Sequence, residues 1–397
     1  MVANGPAGRA TSVLISGAGI AGPALAFWLV RCGFKTTLIE QAPSLREGGQ
    51  AVDFRGPAHL AVLERMGLLE AIRAHQSPMG DQHFVDETGR KVATMPAAFM
   101  SGDVEILRGD LSRLLYEATR DHTEYLFGDS IASMAELSDG IEVSFERAAP
   151  RRFDLVVGAD GLRSQVRTLH FGPEQRFVHH LGYYVAGFHL PNQLGLDRVG
   201  MTFSVPGRGL HLQGISQTEA RATFVFASPE RAYDRRDQSV QKRMVDLAFA
   251  GLGWKVPSTL DALRSAPELY FDSISRVDVP SYARGQVVLL GDAAHGGTIG
   301  GGGSGCAIVG AYVLAGELAH GGEPRTALAR YESLIRPYAT RCQSGAEDAG
   351  PMFAPRTRAQ LWARNTMLRL MASPRLSDWL NRLTSRDASR IVLPDYQ

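Results

Sequence analysis

A glycine-rich turn between a short apolar run and an apolar helix constrains the fold of this chain more than any other feature. Residues 12–16 are apolar enough for a buried strand, Gly17-Ala-Gly-Ile-Ala-Gly22 is the turn, and residues 23–32 have the composition of a helix. Residues 35–39 form a second strand-like run, after Gly33 ends the helix. This order predicts a βαβ unit with two parallel strands.

Each glycine of the turn has a mechanical reason to be there. Gly17 permits the tight turn, Gly19 lets a pyrophosphate approach the backbone, and Gly22 lets the helix pack closely on the strand. Ile20 and Ala21 lie where the helix begins, and a helix N-terminus offers free N–H groups and a partial positive charge to phosphates. The turn therefore predicts a dinucleotide site.

The acidic residue at the end of the second strand narrows the choice of dinucleotide. Glu40 lies 18 residues beyond Gly22 and is followed by Gln41. A carboxylate at this place accepts a hydrogen bond from a ribose 2′-OH and repels a 2′-phosphate. The spacing favours the adenosine of FAD or NAD over that of NADP.

A later segment distinguishes FAD from NAD. Residues 287–290 form an apolar strand that ends in Gly291 and Asp292, and seven of the ten residues 296–305 are glycine. A carboxylate at a strand end can hold the hydroxyls of a ribityl chain, which nicotinamide lacks. The helix that follows would stabilise negative charge on a reduced flavin. The candidate flavin-binding residues of this segment are Gly291, Asp292, Gly301, Gly303 and Ser304.

A third segment supports the other two. Residues 154–158 read as a strand, Asp160 and Gly161 as a turn, and Ser164 as the cap of a short helix. Such turns are common, so Asp160 is a candidate cofactor-binding residue only in combination with the other segments.

Composition excludes several other classes of protein. The formal net charge of +1 provides no field to attract nucleic acid or an anionic membrane. No apolar run approaches the ~20 residues of a membrane helix, and the N-terminus lacks a signal sequence. Cys32, Cys306 and Cys342 are too far apart in sequence for a metal cluster or a disulfide framework. We expect a cytoplasmic monomer or homodimer without a metal.

The order of the patterns predicts an α/β fold with two interleaved layers. Strand-like runs between residues 183 and 228 are separated by Pro, Gly and Asn turns, which is typical of an antiparallel sheet. We expect a Rossmann-like FAD-binding domain interleaved with an antiparallel-sheet substrate domain and a C-terminal helix. The predicted boundaries are 1–78, 101–180 and 277–350 for the first, 79–100 and 181–276 for the second, and 351–397 for the C-terminal helical segment.

The three segments, in this order and spacing, resemble the group A FAD-dependent monooxygenases, which have the para-hydroxybenzoate hydroxylase fold. The resemblance runs from about residue 12 to residue 338, and the chain is similar to tetracycline-inactivating enzymes and aromatic polyketide hydroxylases of this family. It implies FAD, NAD(P)H as a transient reductant, and O₂. It also implies hydroxylation or Baeyer–Villiger oxidation of an aromatic or polyketide-like small molecule through a C4a-hydroperoxyflavin, in antibiotic biosynthesis or inactivation.

The resemblance also assigns roles to three arginines. Arg46 matches the family arginine that follows the ribose-binding Glu, and Arg108 matches an arginine that contacts FAD. Arg55 lies where related enzymes line the flavin and the substrate, which makes it a candidate catalytic residue. Because the cofactor performs the chemistry, no catalytic triad is expected.

The predicted antiparallel sheet supplies the candidates for substrate binding. Aromatic side chains with a few polar anchors suit a flat aromatic ligand. The candidates are Tyr184, Phe203, His211, Gln213 and Phe224.

One departure from the family leaves two alternatives open. The family has a proline a few residues after the position of His295, where this chain has Thr298 and Ile299 followed by four glycines. Glycine costs backbone entropy and loosens the wall over the flavin. A flavin-fold enzyme that catalyses a redox-neutral cyclisation or rearrangement therefore stays open, as does a non-catalytic flavoprotein that binds a small molecule.

Overall fold

The computed structural model describes residues 11–45, 51–76, 79–97, 102–298, 302–320, 322–371 and 391–396. The strands are β1 (Ser12–Ser16), β2 (Lys35–Glu40), β3 (Ala51–Phe54), β4 (Gln82–Val85), β5 (Lys91–Met95), β6 (Val104–Leu107), β7 (Thr123–Phe127), β8 (Ile131–Leu137), β9 (Gly140–Phe145), β10 (Arg151–Phe153), β11 (Leu155–Gly158), β12 (Val178–Pro191), β13 (Gly200–Val205), β14 (Arg208–Gly214), β15 (Glu219–Ala227), β16 (Tyr270–Val277), β17 (Ala283–Arg284) and β18 (Val287–Leu289).

The helices alternate with these strands along most of the chain. They are α1 (Ala21–Arg31), α2 (Gly56–Arg65), α3 (Leu69–Ala74), α4 (Arg108–Glu117), α5 (Gln165–His170), α6 (Gln238–Phe249), α7 (Val256–Ser265), α8 (Asp292–His295), α9 (Gly303–Ala319), α10 (Pro324–Phe353) and α11 (Arg358–Met371). No helix in the described ranges combines the length and the apolar character that crossing a membrane requires.

A six-stranded sheet brings the predicted cofactor segments to one edge. Its order is β17-β18-β11-β1-β2-β7, and all pairs except β17/β18 are parallel. Ser16 is in register with Gly158 and with Ile39, and Gly158 is in register with Leu289. The carboxyl ends of β1, β2, β11 and β18 therefore meet, and such an edge is where open α/β sheets bind ligands.

Helix α9 lies in the middle of the core beside this sheet. It packs against α1 and α10, and its residues from Gly305 to Glu317 are buried. A helix that is apolar on all sides must be covered on all sides, which explains its central position.

A seven-stranded sheet forms the second layer, in the order β16-β12-β15-β14-β13-β4-β5. Its pairs are antiparallel except β13/β4. Helices α6 and α7 cover one face of this sheet with an apolar cluster. The sequence analysis does not predict these two helices, and their presence decides which face of the sheet is core.

The expected α/β fold class is confirmed. The chain contains a mainly parallel sheet, a mainly antiparallel sheet and C-terminal helices, and it passes back and forth between the two sheets as the sequence patterns predicted. In the predicted C-terminal segment the described helix is α11, and residues 372–390 lie outside the described ranges. The domain boundaries stay a prediction.

Candidate functional site

The glycine turn after β1 is tightly packed at its first and last glycine. Gly17 has φ +109°, and its N–H donates to the Ile39 carbonyl at 2.8 Å. A Cβ at Gly17 would lie 2.5 Å from the Ala159 carbonyl oxygen, and a Cβ at Gly22 would overlap the carbonyl oxygen of Gly17. Only glycine fits at these two positions, so the fold itself requires them.

The middle glycine is open, in contrast to its two neighbours. A Cβ at Gly19 would meet only the Arg108 guanidinium, at 3.6 Å, within the part of the chain that the structure describes. Ile20 and Ala21 are buried where α1 begins, and Arg108 is exposed at the start of α4. The backbone at Gly19 is therefore open on the side that faces the Arg108 guanidinium, and we call this region of the turn the groove; an open backbone beside a cation suits a pyrophosphate.

Glu40 lies beside this turn at the end of β2. Its carboxylate accepts hydrogen bonds from the N–H of Ala18 at 2.8 Å and from the N–H of Ala42 at 2.9 Å. Gln41 follows as an exposed residue. The two backbone bonds fix the Glu40 carboxylate at the groove, where a ribose hydroxyl could reach it.

The residues after β18 lie on the opposite side of the groove. Gly291 has φ +61°, and a Cβ there would lie 3.1 Å from Cβ of Ala21 and 3.3 Å from Cβ of Ala307. Gly291 therefore allows α1, α8 and α9 to approach one another. Gly303 and the partly buried Ser304 open α9, and a Cβ at Gly303 would lie 3.3 Å from Oδ1 of Asp292.

Asp292 and Arg108 are the two charged residues of the groove. Burial raises the pKa of the Asp292 carboxyl above its ordinary value, and the charge of Arg108 opposes that rise. Among the described residues neither side chain makes a hydrogen bond or an ion pair. A carboxylate that is free to accept hydroxyl groups and a guanidinium that is free to bind phosphate fit the polar parts of a flavin dinucleotide.

Asp160 is buried in the turn after β11. Its Oδ2 accepts hydrogen bonds from the Val166 N–H at 3.1 Å and from the Ser16 hydroxyl at 3.4 Å, while Oδ1 has no partner among the described residues. Burial raises its pKa, and hydrogen bonds from Ser164 and Val166 oppose that rise. The carboxylate accepts from the first turn of α5 and ties it to β1, and the expected cofactor role of Asp160 stays a prediction.

Arg167 is a site residue to which the sequence analysis gives no role. Its side chain is fully buried on α5, and its guanidinium donates to the carbonyls of Ala293 at 2.8 Å and Leu162 at 2.6 Å. Burial lowers its pKa. The sequence offered only one indication of this role, namely an arginine near the end of the segment that contains Asp160.

Three of the five substrate candidates lie on the face of the antiparallel sheet that is covered by α6 and α7. Tyr184 stacks between Phe226 and Phe271, Phe203 packs on Trp254, and Phe224 packs on Phe249. We correct the expected substrate role of Tyr184, Phe203 and Phe224: they are at most 2% exposed and belong to the core.

His211 and Gln213 lie on the other face of this sheet. Nδ1 of His211 and Oγ1 of Thr202 are 2.9 Å apart, and burial lowers the pKa of His211 to about 4. Nε2 of Gln213 donates to the Arg198 carbonyl at 2.7 Å, while its Oε1 lacks a partner among the described residues. The part of this face around His211 and Gln213 is polar, and its imidazole is neutral at neutral pH.

Two further residues of the same face escaped the sequence analysis. Arg221 is in register with Gln213, and Tyr270 and Thr223 are both in register with Gly187, so these side chains share the face. Tyr270 is 43% exposed, and the charges of Arg108 and Asp292 act on its hydroxyl. Tyr270 therefore lies near the charges of the groove.

Arg55 lies at the start of α2. Its N–H donates to Nδ1 of His59 at 3.0 Å, and its exposed side chain pairs with Asp53. Its catalytic role stays a prediction. Arg46 and Gly301 lie outside the described residues.

Comparisons with known proteins agree with the geometry of the groove. The family model described as an FAD binding domain matches residues 10–346. An uncharacterized protein of Mycobacterium tuberculosis is 42% identical over 354 residues, which cover 87% of this chain and 95% of that protein. A flavin-dependent monooxygenase of Legionella longbeachae is 34% identical, with 97% of this chain and 98% of the relative covered.

A solved structure extends the comparison to the fold. The crystal structure of the tetracycline destructase Tet(55) matches with a TM-score of 0.83 and 30% identity, and both chains are covered completely. The resemblance stated from the three sequence segments is thereby confirmed. The chain belongs to the group A flavin-dependent monooxygenases and contains their FAD-binding domain.

Proposed function

We propose that this chain is an NAD(P)H-dependent FAD monooxygenase that oxygenates an aromatic or polyketide-like small molecule with an acidic hydroxyl or carboxyl group. The observation that carries the proposal is the polar face of Arg221, Gln213 and His211, on which Tyr270 lies near the charges of Arg108 and Asp292. A cofactor groove and a substrate surface that lie near each other are what oxygen transfer from a flavin requires.

The groove residues suit successive parts of the FAD molecule, from the adenosine to the ribityl chain. Glu40 would hold the ribose of the adenosine, Gly19 and the start of α1 the pyrophosphate, and Asp292 the ribityl hydroxyls. Arg108 would neutralise phosphate charge. When bound, FAD supplies the redox chemistry with NAD(P)H and O₂, so the chain has to bind, orient and exclude water.

Arg221 supports an acidic substrate. Its guanidinium lies against Gly187, where a Cβ would come within 2.9 Å of Nη2. Burial lowers its pKa, and it makes no ion pair within the described residues. A partly buried cation without a counter-ion is stabilised by an anionic group of a ligand, such as an enolate, a phenolate or a carboxylate.

The similarity to a tetracycline destructase supports a role in antibiotic inactivation. Tetracyclines are flat polyketides with acidic enols, so their chemistry agrees with a guanidinium beside neutral polar side chains. We include antibiotic biosynthesis in the proposal, because the same chemistry serves polyketide tailoring.

The experiment is a coupled assay on the FAD-loaded protein. NADPH and NADH oxidation, O₂ uptake and product mass would be followed with a panel of aromatic polyketides that includes a tetracycline. We expect one of them to stimulate NAD(P)H oxidation and to gain one oxygen atom. Arg221→Gln should weaken that stimulation, with Arg113→Gln on the exposed side of α4 as the matched control.

The outcomes separate the alternatives. A protein that cannot be reconstituted with FAD would contradict the proposed roles of the groove residues. FAD binding without stimulated oxidation by any substrate would overturn the monooxygenase proposal. Conversion of a substrate without NAD(P)H or O₂ would establish the redox-neutral alternative instead.

A further inference from the structure

The last described residues of the chain pack against the helices of the parallel layer. Residues 391–396, which we call the strap, contain neither helix nor strand. Ile391, Leu393 and Tyr396 are partly buried against the main apolar core, whereas Val392 is 91% exposed. The strap therefore lies on the surface of this layer, with its apolar side chains in contact with the core.

Tyr396 occupies a place on α9 that a glycine keeps open. A Cβ at Gly316 would overlap the Tyr396 ring. The centroid of this ring lies 5.2 Å from that of Tyr312 and 5.0 Å from that of His320, which lie one turn before and one turn after Gly316. The Tyr396 hydroxyl donates to Oε1 of Glu317 at 2.7 Å. We call these four residues of α9 and its C-terminal end the strap site.

Tyr312 connects the strap to two further helices. Its hydroxyl donates to the Pro394 carbonyl at 2.9 Å and accepts a hydrogen bond from the guanidinium of Arg65, the last residue of α2. Its ring centroid lies 5.0 Å from that of Trp28 on α1. The strap is therefore bound where residues from the second halves of α1, α2 and α9 meet.

The opposite ends of two of these helices form the cofactor groove. Helix α1 begins at Ala21, directly after Gly19, and α9 begins at Gly303, beside Asp292. Gly316 lies 13 residues beyond Gly303, which is about 20 Å along the axis of α9. Since α1 and α9 pack against each other, a ligand in the groove and the strap hold the same pair of helices from opposite ends.

The strap is held by side chains rather than by backbone pairing. Within the described part of the chain it makes no backbone–backbone hydrogen bond, and its polar contacts come from the Pro394 carbonyl and the Tyr396 hydroxyl. Chain ends bound in this way open at a lower free energy than core helices do. The docked strap is therefore in equilibrium with a released form.

We propose that the strap site is a peptide-binding site for the C-terminus of the chain, and that docking of the strap and binding of FAD strengthen each other. Both events fix the packing of α9 on α1, so the event that comes second has less ordering to perform. The coupling is reciprocal: docking lowers the Kd for FAD by the factor by which FAD raises the equilibrium constant for docking. The proposal rests on FAD binding in the groove and is independent of the substrate and the reductant of the proposed function.

The test is digestion of the full chain by a carboxypeptidase, with and without FAD. The enzyme removes Gln397 and then reaches Tyr396, which it can release only while the strap is undocked. Mass spectrometry follows the loss of Tyr396 with time. We expect saturating FAD to slow this loss about fivefold or more, which is in the ordinary range of coupling between two sites.

Two variants release the strap in different ways. Gly316→Ala places a methyl group on the Tyr396 ring, and α9 is retained because alanine favours a helix more than glycine does. Tyr396→Ala removes the ring and leaves α9 unchanged. In both variants FAD should no longer slow the digestion, and the Kd for FAD should rise by the factor by which FAD slows digestion of the parent. Gly253→Ala, between α6 and α7, adds a methyl group that meets nothing within the described residues, and it should behave like the parent.

FAD binding itself, measured by the quenching of flavin fluorescence, keeps this proposal separate from the proposed function. A parent chain that does not bind FAD would contradict the roles of the groove residues. A parent chain that binds FAD but loses Tyr396 at the same rate with and without it would overturn the coupling. An unchanged Kd for FAD in either folded variant would overturn it as well.

Discussion

The guanidinium of Arg167 donates a hydrogen bond of 2.8 Å to the carbonyl of Ala293, 126 residues further along the chain. The bond joins α5, which follows the Asp160 turn, to α8, which carries Asp292. A second bond from the same guanidinium reaches the Leu162 carbonyl. Two cofactor segments that are distant in sequence are therefore held together by one buried side chain.

Replacement of Arg167 should weaken the contact between α5 and α8. Arg167→Met fills a similar volume but leaves two buried carbonyls without a donor, which costs about 2–4 kcal/mol of unfolding free energy. Urea denaturation measures this loss, and equilibrium dialysis should show weaker FAD binding. Arg113→Met, on the exposed side of α4, serves as the control and should change neither quantity. An Arg167→Met protein as stable as the parent would contradict the structural role.

The last and the middle glycine of the turn predict opposite phenotypes for the addition of a single methyl group. Gly22→Ala places a Cβ on the Gly17 carbonyl oxygen, so it should destabilise the apoprotein. Gly19→Ala meets only Arg108 in the described structure, so the apoprotein should fold normally while FAD binding falls at least tenfold. Thermal unfolding of the apoprotein and flavin titration would be measured on both variants. The same loss of stability in both would count against the open groove.

Replacement of Asp292 should lower the affinity for FAD and raise the stability of the apoprotein. Its raised pKa means that the folded apoprotein disfavours the ionised carboxyl, so it destabilises the fold at pH values above its ordinary pKa of 3.8. Asp292→Asn removes that charge and should stabilise the apoprotein at neutral pH while weakening FAD binding. Denaturation of apoprotein and flavin titration test the two halves separately, and full retention of FAD would contradict the proposed role.

Three buried histidines should make the protein sensitive to acid. Burial lowers the pKa of His59, His211 and His295 from 6.5 to about 4. Between those values the unfolded chain binds protons that the folded chain does not, so stability is lost as pH falls from 6.5 to 4. The slope of unfolding free energy against pH reaches up to about 4 kcal/mol per pH unit if all three histidines contribute fully.

The contribution of one histidine can be isolated. His211→Gln should lower the slope of unfolding free energy against pH by about one proton, or about 1.4 kcal/mol per pH unit. Replacement of the exposed His75 should leave the slope unchanged. Equal slopes in parent and His211→Gln would show that His211 titrates normally in the folded state.

Replacement of Arg221 should weaken the binding of substrate and leave the binding of FAD unchanged. Arg221→Gln keeps hydrogen-bonding capacity but loses the charge, so KM for an acidic substrate should rise about tenfold or more while FAD binding stays the same. Arg221→Lys should recover part of the loss. A neutral analogue of the substrate should show no difference between parent and variant, and a difference there would argue against an ionic contact.

The cofactor groove was accessible from the sequence because its residues are local to three turns. Each glycine or acidic residue follows a strand, and parallel strands end at a common edge. Gly19 and Asp292 could therefore be placed together without a structure. Arg167 could not, because its partner carbonyls depend on how two distant segments pack.

The position of the aromatic candidates in the antiparallel sheet could not be predicted from the sequence, for a physical reason. Alternation along a strand divides side chains between two faces but does not say which face an apolar cluster covers. Helices α6 and α7 pack on the face of Tyr184 and Phe224. Since the sequence analysis missed those helices, it did not recognise these aromatic side chains as core residues.

Thr298, in the stretch where the family resemblance implies a proline, connects the glycine loop to β16. Its N–H donates to the Ser275 carbonyl at 3.2 Å, and its hydroxyl bonds to the Ser273 carbonyl and the Ser275 N–H. A proline has no N–H and could not make the first of these bonds. Tyr270 begins the same strand. The three hydrogen bonds of Thr298 therefore anchor the described start of the glycine loop to the antiparallel sheet, so that the two layers share a backbone connection at this residue.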